Sequence, residues 1–403
     1  MKAQFWGLTM REIIVTGIGT GRFTIITPEV QEAINEADVV FADKRFAPLI
    51  PSAKKIIDIK NFRDLAKESG KILVLVSGDP GVFSLLPVVK KFFPDEKITV
   101  LPGISSLQVI CAHACETWQD AAILSGHGRA LSAGKFLNTV ERNRVTILFC
   151  DRIISPSWAC EKLSCIENEN IELSIGSSLG GNDERFFDGK PQDFAGFDFP
   201  ELSIVLVKNQ NPFSPHRVHL RDSDFIREKN IVMTNESVRS VIMSRLELSQ
   251  DSVFWDIGAG SGSISVSAAN EFPFSDVHAV ECKTEAATLI LRNAAKFHLH
   301  NITIHNARAL EVIDGLPEPE SVFIGGSNGE LSGILYRLRK SGAHVVIACV
   351  TLETFTEAYE ILRNWENFEA VQISAVSSKN LTSSLTMMKA ANPVIILSAD
   401  GEL

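Results

Sequence analysis

Short apolar runs that end in glycine turns, and that alternate with amphipathic segments, recur along this chain. In the first half EIIVTGIG, KILVLVSGDPGVF and KITVLPG end in such turns, and RVTILFCD and ELSIVLVKN are further apolar runs. Strands that alternate with helices form a largely parallel sheet, whose ligands bind at the carboxyl ends of the strands. We therefore expect the glycine turns of the first half to converge on one cleft.

The segments between these runs carry helix signals. In TPEVQEAINEADVVFAD the expected N-cap is Thr27, with Pro28 at the first helical position and a strand after the helix. A serine after the Pro-Gly turn of KITVLPGISSLQ is the expected cap of another helix. MTNESVRSVIMSRLEL predicts an amphipathic helix with Thr234 as its N-cap.

A chain of 403 residues is too long for a single ordinary hydrophobic core, so two domains of roughly 200 residues are expected. The alternation stops in a polar stretch with two prolines, from Lys208 to Asn230. It resumes with SVFWDIG, DVHAVEC, NITIHNA, SVFIGG, AHVVIACV and NPVIIL. We predict an α/β chain with one domain over 11–208, a linker over 209–230 and a second, different domain over 231–403.

Composition excludes several functions. The formal net charge of −10 argues against sequence-independent binding of nucleic acid. No apolar segment approaches the length of a membrane span, and the first residues offer no secretory signal. The seven cysteines form no CxxC pair, which indicates reduced thiols in a cytoplasmic protein. Cys111 and Cys115 lack convergent partners, so no metal site is expected.

The stretch FWDIGAGSGSISV indicates the kind of ligand in the second half. Its glycines, at 258, 260 and 262, form GxGxG, whereas the dinucleotide fingerprint is GxGxxG. Asp256 lies two residues before the first glycine, where a phosphate would be repelled. Glu281 ends the next strand 25 positions on, where a carboxylate accepts hydrogen bonds from ribose hydroxyls. This spacing favours S-adenosylmethionine over NAD, and the alternative is a tight turn without a ligand.

Ordered motifs over nearly the whole chain resemble one family. MTNESVR, DIGAGSGSISV, HAVE, FIGGSNG, VTLE and NPVIIL resemble the decarboxylating methyltransferase domain of cobalamin biosynthesis. VTGIGTG, SGDPGVF, LPGISSLQ, WQDAAILSGHGR and GSSLGGNDE are similar to its usual fusion partner, a tetrapyrrole methylase. The resemblance implies a tetrapyrrole-methylase α/β fold followed by a Rossmann-like class I methyltransferase fold.

The resemblance also places cofactor contacts. In the second domain these are Thr234, Asp256, Gly258, Ala259, Gly260, Ser261, Gly262, Glu281 and Ala309. In the first domain they are Gly17, Thr20, Gly78, Asp79, Val82, Ser105 and Ser106. The chain departs from the family pattern at Thr20 and Arg22 in the first turn, at Ala307-Arg308, and at Asn328, which replaces a usual glycine. Asn tolerates positive φ better than most residues.

The activity that the resemblance implies is transfer of two methyl groups from S-adenosylmethionine, with two donor sites per chain. The first domain would methylate carbon 5 of a precorrin, and the second would methylate carbon 15 and remove an acetate carboxylate. The substrate carries many carboxylates, so contacts are expected from His127, Arg129, Arg308 and Lys379. No catalytic acid or base is identified. The family suggests a homo-oligomer.

Three alternatives stay open. The physiological substrate carries cobalt in some routes, and the sequence does not distinguish the two forms. A binding or regulatory protein with one decayed cofactor site is a second reading, because Thr20, Arg22 and Arg308 depart from the pattern. The third is a small-molecule methyltransferase joined to an unrelated methylase that acts on a different tetrapyrrole, such as a substrate of the sirohaem pathway.

Overall fold

The computed structural model describes residues 11–20, 26–127, 131–166, 168–214, 219–380 and 385–402. Within these, the chain divides into two compact units. The first comprises the described parts of 1–131 and 143–211, and the second those of 132–142 and 212–403.

The first unit contains two five-stranded sheets. Its strands and helices up to residue 125 are, in chain order, β1 (Glu12–Gly17), α1 (Pro28–Glu36), β2 (Val39–Ala42), β3 (Lys55–Asp58), β4 (Lys71–Val76), α2 (Leu86–Phe92), β5 (Lys97–Leu101), α3 (Ser106–His113) and β6 (Ala122–Ser125). The next helix, α4 (Ala133–Arg142), belongs to the second unit. The first unit continues with β7 (Val145–Phe149), α5 (Pro156–Ser164), β8 (Ile171–Ser177), β9 (Arg185–Gly189) and β10 (Ser203–Asn209). Short 3-10 helices lie at Lys44–Leu49, Ile59–Lys67 and Pro191–Phe194.

The first sheet is parallel, with strand order β3-β2-β4-β1-β5. Successive side chains of its strands enter cores on opposite faces, so that Leu73 packs with helix α1 and Val74 with helix α2. The expected cap of α1 is confirmed, because the Thr27 hydroxyl accepts a hydrogen bond from Val30 N at 3.3 Å. The continuous apolar runs of the sequence therefore specify this sheet, because both of its faces are buried.

The second sheet is not the parallel sheet that the alternation predicts. Its order is β6-β7-β10-β8-β9, and the run ELSIVLVKN pairs antiparallel to both of its neighbours. Strand β10 is buried on both faces in either orientation, so its apolar run carries no information about direction. Helix α3 covers one face of this sheet through Leu107 and Ile110.

The second unit is built on one seven-stranded sheet of order β13-β12-β11-β14-β15-β19-β16. Its elements are α6 (Glu236–Arg245), β11 (Val253–Ile257), α7 (Ser263–Glu271), β12 (Asp276–Val280), α8 (Thr284–Lys296), β13 (Ile302–His305), α9 (Ala309–Val312), β14 (Ser321–Ile324), α10 (Leu331–Leu338), β15 (His344–Cys349), α11 (Leu352–Leu362), β16 (Glu366–Ile373), β17 (Val376–Asn380), β18 (Thr386–Ala390) and β19 (Val394–Asp400). Strands β17 and β18 form a separate hairpin.

Strand order reverses at β11, which has β12 on one side and β14 on the other. In sheets of this kind the crevice at that point holds the ligand. Two cores fill the faces of the sheet. Trp255 and Ile257 pack with α10 and α11, whereas Phe254 packs with α6 and α7. The switch point is thus buried from both sides.

Helix α4 lies between β6 and β7 in the chain but packs in the second unit. Its Asn138 is fully buried and bridges three groups. Asn138 Nδ2 donates to Pro273 O and to Asn301 Oδ1, both at 2.8 Å, and Asn138 Oδ1 accepts from His300 N at 2.8 Å. The helix falls within the domain predicted over 11–208, because no apolar pattern marks a buried asparagine.

The second half of the predicted linker is packed against the second unit. Leu220 and Phe225 are buried in its core. The guanidinium of Arg239, which is 2% exposed, donates to Leu220 O, Thr234 O and Asp222 Oδ1 at 2.7–3.0 Å. Residues 219–225 therefore belong to the folded unit although their sequence has no period.

Among the described residues no helix is both long and apolar enough to cross a bilayer.

We predict that Asn138→Ala destabilises the second unit by about 2–4 kcal/mol, because it leaves buried donors and acceptors without partners. Hydrogen exchange of the full chain checks this, since protection should fall in peptides that contain Pro273 and His300. Asn364→Ala is the control, because Asn364 is exposed and makes only a 3.5 Å bond to Glu360 O. Equal protection in the two variants would contradict the prediction.

Candidate functional sites

Three glycine turns of the first unit meet backbone to backbone at the ends of β1, β4 and β5. Gly19 and Gly78 form an isolated bridge, with Gly78 N donating to Gly19 O at 2.9 Å. A Cβ on Gly103 would lie 2.3 Å from Gly78 O and 2.6 Å from Gly17 O. Only glycine permits this approach, so the turns converge as the sequence analysis predicts.

The loop after β4 is held by a carboxylate. Asp79 Oδ1 accepts from Gly81 N at 2.7 Å, and Asp79 Oδ2 accepts from Gly103 N at 3.0 Å. The loop after β5 is fixed by Ser105, which caps α3 in a capping box with Gln108, as expected. Side-chain hydrogen bonds therefore hold the backbone of both loops.

A cavity of about 740 Å³ lies beside these loops. Six of the seven residues expected to contact a cofactor in the first domain line it, namely Thr20, Gly78, Asp79, Val82, Ser105 and Ser106. The seventh, Gly17, packs beneath Gly78. The volume is that of a typical small-molecule site. The structure thus brings together in one cavity residues that the sequence predicts from separate motifs.

His127 also lines this cavity, and its backbone N donates to Ser125 Oγ at 3.1 Å. Arg22 and Arg129 lie outside the described residues. Arg45 lines the cavity from the 3-10 helix Lys44–Leu49 and is not among the residues predicted from the sequence. No pattern marks a single charge on so short a helix.

The glycine loop of the second unit spans Gly258 to Gly262, and its glycines have φ of 57–74°. All five successive amide N–H groups of this loop donate within the protein. Gly258 N and Ala259 N donate to Val280 O, Gly260 N to Glu281 Oε2, Ser261 N to Val232 O and Gly262 N to Ala259 O. A phosphate-binding loop instead presents such groups to its ligand. The amide N–H groups of this loop are therefore not free to bind a phosphate.

Asp256 lies beneath the loop and is fully buried. Its Oδ2 accepts from the backbone N and the hydroxyl of Ser265, in the first turn of α7, and its Oδ1 has no partner. Register places Ala279 and Phe323 beside it on the neighbouring strands. Burial raises the pKa of this carboxyl to about 6, opposed by the Ser265 bonds and assisted by Glu281.

Glu281 follows β12 and joins the loop to the next strand. Glu281 Oε2 accepts from Gly260 N at 2.8 Å, and Glu281 Oε1 accepts from Lys283 N at 2.9 Å. The Cys282 thiol also donates to Oε1 at 3.7 Å, so Oε2 is the oxygen that retains a further lone pair for a ligand hydroxyl. Glu281 therefore lies at the end of the strand beside the glycine loop, where the sequence predicts an acid that accepts hydrogen bonds from ribose hydroxyls.

The remaining predicted positions of the second unit have varied surroundings. Thr234 is not the N-cap of α6; Asn235 is, because Asn235 Oδ1 accepts from Ser237 N at 3.0 Å. Ala309 is buried at the start of α9. Asn328 adopts φ of 51°, as its amide side chain permits.

Two of the expected substrate contacts in this unit gain no support. Arg308 Nε donates to Glu330 Oε1 at 2.8 Å, so its guanidinium is already paired. Lys379 lies on β17, and its side chain is outside the described residues. Within the described ranges no three His, Cys, Asp or Glu side chains form a metal cluster.

The fold and the loop contacts define a two-unit α/β protein with a Rossmann-like second unit. A family model described as tetrapyrrole (corrin/porphyrin) methylases matches residues 12–195, and one described as a precorrin methyltransferase domain matches residues 225–400. The chain belongs to the decarboxylating precorrin methyltransferases and is a methyltransferase.

Individual relatives cover one or both units. A Sinorhizobium protein named precorrin-6Y C(5,15)-methyltransferase (decarboxylating) is 27% identical over 85% of each chain. A Pyrobaculum calidifontis protein named probable cobalt-precorrin-6B C(15)-methyltransferase (decarboxylating) is 36% identical over 44% of this chain and 93% of that protein. A crystal structure of a precorrin-6Y C5,15-methyltransferase from Geobacter metallireducens is 34% identical, covers 46% of this chain and 98% of that one, and has a TM-score of 0.42.

Asp256 predicts a pH dependence of stability. The native carboxyl titrates near pH 6 and an unfolded aspartate near 3.9, so the native state binds more protons between these values. The free energy of unfolding therefore falls as pH rises through this window, by roughly 3 kcal/mol. Relative to the parent, Asp256→Asn should gain stability above pH 6 and lose that gain near pH 4. Urea unfolding across this range measures the difference.

His300 changes the pH dependence of stability in the opposite direction. The contribution of Asp256 is therefore measured as the difference between the variant and the parent. Burial lowers the pKa of His300 to about 4, so native His300 stays neutral while the unfolded side chain becomes charged. Its contribution to stability is lost as pH falls from about 6.5 towards 4. Asp314→Asn, at an exposed ion pair with Arg337, is the control. A gain for Asp256→Asn that does not vary with pH would refute the assignment.

Proposed function

We propose that this chain is a bifunctional methyltransferase of cobalamin biosynthesis with one S-adenosylmethionine site in each unit. Methylases of this family use S-adenosylmethionine as the methyl donor. Its sulfonium carries an already activated methyl group, so the protein has to position reactants rather than activate them. The residues of both units suit that task.

One observation carries the proposal for the second unit. Every amide from Gly258 to Gly262 is used internally, and Asp256 accepts from Ser265 N in the first turn of α7. The helix N-terminus, which binds phosphate in dinucleotide folds, is therefore occupied by the protein's own carboxyl. Such a loop suits a nucleoside that carries no phosphate, with the ribose hydroxyls on Glu281.

In the first unit the support is the cavity beside the three glycine turns. Gly78, Asp79 and Val82 come from one loop, and Ser105 and Ser106 from the next. Bare glycine backbone lets a nucleoside approach closely, and the cavity has room for it. We assign methylation of carbon 5 to this unit, which would correspond to the domain at 11–208.

We assign methylation of carbon 15 and loss of an acetate carboxylate to the second unit, corresponding to 231–403. The Sinorhizobium relative is named for both carbons and the Pyrobaculum relative for carbon 15 alone. The relative that covers both units is thus the one named for methylation at both carbons. The substrate proposed here is precorrin-6Y, and the product is precorrin-8X.

The residues of each site have separable tasks. Asp79 and Glu281 fix backbone amides of their loops, so the donor would bind to surfaces that do not reorganise. The apolar cavity wall, which includes Phe83 and Phe149, excludes water from a macrocycle bound there. His127 lies on the same wall and would contact the substrate.

A cobalt-containing substrate is the second candidate, and one observation favours it. The relative with 36% identity to the second unit is named for cobalt-precorrin-6B. Parallel incubations with metal-free and cobalt-containing substrate distinguish the two forms by turnover. We further propose a cytoplasmic homo-oligomer; the free thiols among the described cysteines and the exposed Met387 and Met388 of the β17–β18 hairpin support it.

Unit-selective variants test the two assignments. Gly260→Asp with Glu281→Ala should abolish methylation at carbon 15 and leave carbon 5 intact, since it adds a charged side chain at positive φ and removes the ribose acceptor. Val82→Trp should do the reverse by filling the first cavity. Carbon-specific NMR with a ¹³C-methyl donor reads out both. If either folded variant loses both activities, the separate-site assignment is wrong.

Equilibrium binding tests the number of donor sites. The parent chain should bind two equivalents of S-adenosylmethionine, and each variant should bind one. Mass analysis of the product should show two added methyl groups and one lost carbon dioxide. One equivalent or none for the parent would instead support a protein with a decayed site.

A further inference from the structure

Arg45 stands apart from the other charged side chains of the first unit. It lies in the 3-10 helix that follows β2 and lines the cavity, and its side chain is 53% exposed. Among the described residues that line this cavity it is the one Lys or Arg. Neither the motifs that resemble the family nor the glycine turns include Arg45.

Within the described part of the chain, the guanidinium of Arg45 donates no hydrogen bond. It forms an ion pair with Asp43, whose Oδ1 lies 3.7 Å from Arg45 Nε, beyond hydrogen-bond distance. That same oxygen already accepts from Arg45 N at 3.0 Å as the cap of the helix. By contrast, Arg144 forms two hydrogen bonds to Glu116, at 2.8 and 3.2 Å.

The side chain is nevertheless oriented. The Arg45 guanidinium carbon lies 4.7 Å from the centroid of the Phe46 ring, whose own side chain is buried. An aromatic face restrains the plane of a guanidinium and leaves its edge N–H groups for a ligand. A planar guanidinium at a cavity wall, with a long ion pair to Asp43 but no hydrogen bond to a described side chain, keeps the N–H groups that recognise a carboxylate through two hydrogen bonds.

The rest of the described cavity wall is neutral or acidic at pH 7, apart from the titratable His127. Phe46, Leu49, Phe83, Phe149, Leu179 and Leu202 give it apolar surface, and five serines give it hydroxyls. Its carboxylate, Asp79, is occupied by two backbone amides. The Cys150 thiol stays protonated, because burial raises its pKa. Arg45 therefore supplies the permanent positive charge of this described wall.

We propose that Arg45 is a specificity-determining residue of the first unit, which binds one carboxylate arm of the macrocycle and thereby sets its orientation for methylation. This inference rests on the proposed function, since it requires a polycarboxylated tetrapyrrole in the cavity. Arg45 contacts the substrate arm and leaves the methyl donor untouched.

The test compares Arg45→Gln and Arg45→Lys with the parent full-length chain. Arg45→Gln should raise KM for carbon-5 methylation by about tenfold to hundredfold, because a charge-assisted double hydrogen bond is lost. Arg45→Lys should restore part of the loss, since it keeps the charge but not the fork. The affinity for S-adenosylmethionine, measured by calorimetry, should stay within about twofold. Arg63→Gln, at an exposed position on the 3-10 helix Ile59–Lys67, is the control.

A substrate whose carboxylates are esterified provides the complementary measurement. The parent should discriminate strongly against the ester, and Arg45→Gln should discriminate about tenfold less. Unchanged discrimination, or an equal loss of donor affinity, would overturn the role of Arg45. If the parent chain itself does not methylate the free-acid substrate at carbon 5, the proposed function has failed instead.

Discussion

Both candidate sites depend on close contact between glycine backbones where parallel strands end. In the first unit Gly17 and Gly103 leave no space for a Cβ, and Gly78 has a φ of 71° that glycine adopts readily. In the second unit Gly258 would place a Cβ 2.3 Å from Gly326 O. Such contacts bring adjacent loops together and leave a surface of bare peptide groups. The side chains around each site are positioned by these loops.

Peptide groups packed so closely need hydrogen-bond partners, and acids supply several of them. Asp79 binds Gly81 N and Gly103 N, Glu281 binds Gly260 N and Lys283 N, and Asp256 binds Ser265 N. The acids therefore stabilise the loops before any ligand arrives. The same saturation makes the second loop unsuited to phosphate and suited to a nucleoside.

Much of this arrangement could be predicted from the sequence, for physical reasons. Twelve apolar segments read as strands all form strands, because burial on both faces demands continuous apolar residues. Strands β3, β9 and β16 escaped notice because their burial is partial, and hairpin β17–β18 because its described side chains are largely exposed. Strand β8 also escaped although it is mostly buried, because glutamate, serine and glycine interrupt its apolar run. Arg45 and Asn138 also escaped, since a single polar residue carries no periodicity.

The sequence by itself determined the α/β class, the two glycine systems and the acids beside them, because those features are local and have fixed spacing. Tertiary structure alone decided the antiparallel direction of β10, the placement of helix α4 in the second unit and the packing of residues 219–225 on Arg239. It also decided which predicted residues share a cavity and that Arg308 is paired with Glu330. These outcomes depend on contacts between residues far apart in the chain, and no local pattern encodes them.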